Sequence, residues 1–95
     1  MVEHMVWMKF KAGVGAERIQ EHMKQLASLK GRVPGIVASS CGENITDRAN
    51  GFTHGLIVTL ESKSALEGYA THPEHVAVAE PLFADAEVVV MDFEH

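Results

Sequence analysis

The feature that most constrains this chain lies near its C-terminus, where Val88-Val89-Val90-Met91 puts four apolar residues on consecutive positions. Successive side chains of a strand point to opposite faces, so a strand here is apolar on both. An edge or half-exposed strand would alternate, and this one is therefore expected to be covered on both sides. Glu3 to Lys11 has the same property. His4, Val6, Met8 and Phe10 share one face, and Met5, Trp7 and Lys9 share the other. Whatever sheet these strands form needs cover on each surface.

The remaining segments supply only part of that cover. Ala16 to Lys30 is a helix, with Ile19, Met23, Leu26 and Leu29 at helical spacing and Lys30-Gly31 as its stop signal. His22 lies next to the apolar stripe, as a boundary histidine with one nitrogen in water. A turn at Val33-Pro34-Gly35 leads to a second strand, Ile36 to Cys41. A polar loop follows from Gly42 to Gly51, rich in turn formers. Phe52 to Leu60 is the third strand, with His54, Leu56, Val58 and Leu60 on one face. Ser62 or Ser64 caps a helix that carries Tyr69. Pro73 disfavours helical geometry at His72 and suits the first position of a new helix, which carries His75 and is expected to end around Pro81. Glu87 to Phe93 is the fourth strand.

The order strand, helix, strand, strand, helix, strand predicts a single α+β domain over residues 1–95. Its fold is ferredoxin-like βαββαβ, with a four-stranded antiparallel sheet and helices on one face. The other face would be bare in a monomer yet carries Met5, Trp7 and alternate members of the valine run. Bare apolar faces of this kind mark interfaces, and the simplest solution is a homodimer packed sheet on sheet.

Composition narrows the partners. With 13 acidic and 8 basic residues, the net charge is −5, which disfavours nucleic acid and anionic membranes. No apolar stretch approaches the ~20 residues that span a bilayer, and Glu3, His4 and Lys9 interrupt any signal-peptide core. Cys41 is the only cysteine, so no internal disulfide forms and a cytoplasmic location is expected. Asn44-Ile45-Thr46 matches a glycosylation acceptor by accident. Four of the six histidines (His4, His54, His72 and His75) suit a divalent metal chemically. No two are spaced i and i+4 on a helix, and no paired carboxylates or cysteines accompany them, so neither metal nor cofactor is expected.

The segments VEHMVWMKFK, RVPGI, the Gly42-Glu43-Asn44 start of the loop, GFTHGLIVTLES and above all ALEGYATHPEHVAV resemble the stress-responsive α/β-barrel (Dabb) domain family over nearly the whole chain. The resemblance implies a dimer whose two sheets form a barrel. A plant member of the family closes a linear polyketide thioester by an intramolecular aldol-type condensation. Its active-site histidines and tyrosine look like His4, His54, Tyr69 and His75 here.

The chemistry of these groups fits such a role. If all four converge beneath the helices, they line an apolar pocket for a small ligand. His75, in the first turn of its helix, is disfavoured as an imidazolium and is the candidate general base. Tyr69 would hold its tautomer or donate to an enolate oxygen, and His4 and His54 would orient the substrate. The alternative is that these groups satisfy one another or the backbone, in a non-catalytic dimeric binding or structural protein.

Overall fold

In the computed structural model, which describes all 95 residues, alternation along the first strand decides which side of the sheet carries the core. β1 (Val2–Phe10) turns Val2, Val6 and Met8 inward, none more than 5% exposed, while Trp7 on the opposite side is 49% exposed. β1 pairs antiparallel with β3 (His54–Leu60) and with β4 (Ala86–Glu94), and β2 (Ile36–Glu43) pairs with β3. The sheet order is β2-β3-β1-β4, the ferredoxin-like arrangement that the element order predicts.

The helices cover one face of this sheet. α1 (Ala16–Ser28) contributes Met23 and Leu26 to the core, and a short 3-10 turn at Leu29–Gly31 adds Leu29. α2 (Lys63–Thr71) begins at Ser62, whose hydroxyl accepts a hydrogen bond from the Ala65 N–H at 3.2 Å. Gly35, with φ +89°, lets the entry to β2 pass close to this helix. A Cβ there would lie 2.8 Å from Ala65 Cβ. α3 (Pro73–Asp85) starts at the proline, with the His72 ring nitrogen accepting from the Glu74 N–H at 3.1 Å. Fourteen buried residues form one core cluster between helices and sheet, with Leu60 and Met8 fully buried.

Two expectations are corrected. α3 does not end at Pro81 but continues to Asp85. The interior proline costs one backbone bond, yet Val78 and Leu82 on either side are buried and hold the helix down. Pro81 itself and Ala77, whose carbonyl loses its partner, both face solvent. The carbonyls at the helix end are met by Lys11, through Nζ to Ala84 O at 3.0 Å and N–H to Asp85 O at 2.8 Å. The second correction concerns β4, which lies at the edge of the sheet. Val89 and Met91 on the outer side, and Val90 on the helix-facing side, are 44%, 61% and 46% exposed. The apolar run records burial that a single chain does not provide.

Candidate functional site

The helix-facing side of the sheet carries two groups of polar side chains, and one contains three of the four predicted site residues. β1 alternation turns His4 inward, directly opposite Val58 of β3 and Asp92 of β4. Tyr69 comes down from the last turn of α2 and is 1% exposed. Pro73 forces an extended His72 (φ −64°, ψ 133°), which ends α2 and redirects the chain into α3. The redirected first turn brings His75 back against Tyr69, with ring centroids 4.3 Å apart. His4 lies edge-on to the same ring at 5.3 Å. The phenol is thus in contact with two imidazoles.

Each imidazole is anchored through the same nitrogen. His75 Nδ1 donates to the Ala70 carbonyl at 3.1 Å, which requires the proton on Nδ1 and leaves Nε2 as the free lone pair in the neutral ring. Burial pushes the His75 pKa below the ordinary 6.5, against the upward pull of the Ala70 bond, and the neighbouring His4 and His72 lower it further. His4 Nδ1 lies 2.5 Å from Asp92 Oδ1. The Tyr69 hydroxyl has no partner within the chain, and burial raises its pKa to about 12. The cluster therefore offers a neutral base, a neutral phenol donor and a carboxylate-bonded imidazole. Beside it, Val90 lies on the helix-facing side of β4, two residues before Asp92, and supplies open apolar surface.

His54 does not join them. It pairs with Met8, whereas Val58 pairs with His4, so His54 lies four residues further along β3, about 13 Å at the usual strand rise. Val6, Met8, Leu56 and Val58 fill the space between with core. His54 stands edge-on to Phe10 at 5.3 Å, with Nδ1 bonded to Thr53 Oγ1 at 2.8 Å. The far side of Phe10 stacks on His22 at 5.7 Å. His22 is 7% exposed rather than half in water, because its Nε2 bonds Asp85 Oδ2 at 2.6 Å. Arg18 Nε donates to the same carboxylate oxygen. Arg18 and His22 together hold the Asp85 carboxyl below its usual range.

Sequence reasoning missed Asp92 and Asp85. Both are single carboxylates at the ends of apolar segments, a position that resembles solvated punctuation. Only the register of β1 against β4 and the continuation of α3 past Pro81 expose their partners. His72 caps α3, and Cys41 packs with its thiol toward Met23 O at 3.8 Å, burial raising its pKa. No group of three or more His, Cys, Asp or Glu is placed to hold a metal ion. The three principal clefts lie away from Tyr69 and His75. The largest of the three, about 930 Å³, runs beneath the β2–β3 loop from Trp7, Ile57 and Val89 on the outer face to His54. The others, of about 330 and 310 Å³, lie between α1 and α3 and within that loop.

The fold now has a family. Residues 2–95 match the stress responsive A/B barrel domain (Dabb), and the chain belongs to that family. It is similar to the stress-response A/B barrel domain-containing protein HS1 of Arabidopsis thaliana, 33% identical over 97% of this chain and 87% of that protein. It is also similar to olivetolic acid cyclase of Cannabis sativa, 30% identical over 79% of this chain and 76% of that enzyme. A solved structure from Jannaschia sp. CCS1, described as a dimeric ferredoxin-like protein of unknown function, matches with a TM-score of 0.86. It is 27% identical and covers 99% of this chain and 98% of its own. No helix is long and apolar enough to cross a membrane.

Proposed function

We propose that this protein is a cytoplasmic homodimer that binds a small, largely apolar carbonyl compound at the His4–Tyr69–His75 cluster and moves a proton next to the carbonyl. Neither metal nor cofactor is needed for this step. The observation that carries the reading is the Tyr69 phenol, its ring buried against two anchored imidazoles and its hydroxyl unbonded within the chain but open to solvent at its tip. A hydroxyl that the chain leaves unbonded at an accessible point is free to donate to a ligand. Similarity to a polyketide cyclase supports the same direction.

The chemistry follows from the atoms available. His75 Nε2 accepts the proton from the carbon beside the carbonyl, and the electron pair of that C–H bond moves into the enolate. Tyr69 donates a hydrogen bond to the developing oxygen. In an intramolecular aldol step the enolate carbon attacks a second carbonyl carbon of the same chain. The new alkoxide then takes back a proton, and the imidazole is neutral again. His54, outside the cluster, would meet only the far end of an elongated substrate.

Dimerisation rests on the outer face of the sheet, where Trp7, Ile57, Val89, Met91 and Phe93 are 44–61% exposed. An unbroken apolar surface of this size on a small domain calls for a partner, and the dimeric relative supports a second copy.

Two measurements test the proposal. Sedimentation of the wild type and Trp7→Glu should give a dimer and a monomer respectively, and a wild-type monomer would overturn the dimer. Turnover of a poly-β-keto thioester should be lost in His75→Ala while the dimer persists, and unchanged turnover would remove the base assignment. The second reading, a non-catalytic dimeric binding or structural protein of the stress-response type, is favoured by one specific observation. None of the three principal clefts is lined by Tyr69 or His75.

A further inference from the structure

His4 and Asp92 face each other across β1 and β4 in direct register. Each interrupts an apolar series on the inward side of its strand, His4 between Val2 and Val6, Asp92 after Val88 and Val90. Two polar residues at matched positions, with Nδ1 and Oδ1 2.5 Å apart, form one unit. A carboxylate only accepts, so the shared proton sits on His4 Nδ1. His75 is held in the same tautomer, but by a backbone carbonyl that no side-chain change removes. Tyr69 therefore touches two rings that both use Nδ1–H and both keep Nε2 free, one fixed by main chain and one by Asp92.

We infer that Asp92 is a positioning residue that locks His4 in the Nδ1–H tautomer, so that His4 meets the ligand as a hydrogen-bond acceptor. This rests on the reading of the cluster given above and deepens it. The recognition that follows is complementary. Tyr69, a donor, takes a carbonyl oxygen of the ligand, while His4 Nε2 takes a proton from a neighbouring hydroxyl or enol. A ligand with carbonyl and enol side by side satisfies both, and a simple ketone satisfies only one. Asp92 touches neither reacting atom and acts through His4. Its side chain is 37% exposed on an edge strand, so its replacement leaves the core intact.

The test uses ring-¹⁵N-labelled histidine in the full-length protein, comparing the wild type with Asp92→Ala and Asp92→Asn. In the wild type, His4 should show a protonated Nδ1 and a bare Nε2. Asp92→Ala should release it toward the Nε2–H form. Asp92→Asn, which keeps an acceptor oxygen, should restore the wild-type pattern, and His75 should report the same tautomer in all three. A bare Nδ1 in the wild type, or an unchanged His4 tautomer in Asp92→Ala, overturns the inference. A second arm measures binding of acetylacetone, an enolised diketone, and of 2-pentanone, a ketone of the same chain length. Losing one hydrogen bond should weaken acetylacetone about tenfold in Asp92→Ala and leave 2-pentanone unchanged. If the tautomer shifts and neither ligand binds even the wild type, the ligand reading of the cluster fails while the positioning of His4 stands. Equal loss for both ligands overturns acceptance by His4.

Discussion

The two polar groups under the helices differ in what they leave unsatisfied. Around Phe10, His54 bonds Thr53 and His22 bonds Asp85, which also holds Arg18. All four imidazoles bond through one nitrogen and keep the other, so the difference lies in Tyr69, whose hydroxyl has no partner in the chain. The first group ties α1 to the junction of α3 and β4. The second adds a phenol donor that the chain does not use. Burial is similar in both, for His22 and His54 are 7% and 9% exposed and Tyr69 1%. Burial alone therefore does not identify a site. The unspent phenol is what sets the second group apart.

This contrast can be broken by experiment. Its largest expected effect is on turnover of a poly-β-keto thioester, where His75→Ala should cost about 10²–10⁴-fold, the usual contribution of a general base. His54→Ala should cost less than about tenfold, because one weak contact is lost. Equal losses would erase the distinction between the groups. Tyr69→Phe comes next. It should lower turnover about 10²–10³-fold, as loss of an oxyanion donor does. It should leave the melting temperature unchanged or higher, because no hydrogen bond within the chain is lost and a partly desolvated hydroxyl is removed. A clear drop in melting temperature would mean that the phenol has a structural partner.

Smaller effects appear with pH. The folded His75 pKa lies below 6.5, so its neutral, proton-accepting form persists into mild acid, and the acid limb of turnover should lie below 6.5. An acid limb above 6.5 would place the base elsewhere. The Asp85 carboxyl behaves as a depressed acid. Its folded pKa is below the unfolded 3.8, so its stabilisation is present above 3.8 and is lost as pH falls through the folded value. Asp85→Asn should therefore flatten the fall of melting temperature in strong acid, with no change in the acid limb of turnover. A steeper fall in the variant would contradict the sign.

Much of the fold was legible because periodicity reports burial directly. The even-numbered residues of β1 and β3, the stripe of α1 and the His72-Pro73 break all lie where the pattern places them. The same signal misled at β4, because it reports two apolar faces and is blind to where a strand lies in the sheet. Pro81 misled because local propensity carries no knowledge of the packing of Val78 and Leu82. For the site, alternation assigned His4 and His54 to one face correctly, since both face the helices. Parity says nothing of distance along the strand, and His54 is four rungs away from the rung of His4. Asp92 was invisible for a related reason. Its meaning depends on the offset of two strands separated by most of the chain.

The His72-Pro73 corner has a consequence for how this cluster can change. The bearing of His75 toward the phenol is set by the main chain at this corner together with the packing of Val78 and Leu82 further along the helix. One residue inserted between Pro73 and His75 would swing the imidazole about 100° around the helix axis. Val78 and Leu82, downstream on the same helix, would turn with it, so His75 could not lose its aim at Tyr69 without the core opening. Point substitutions can tune the partners of His75, but its aim is written in residue count.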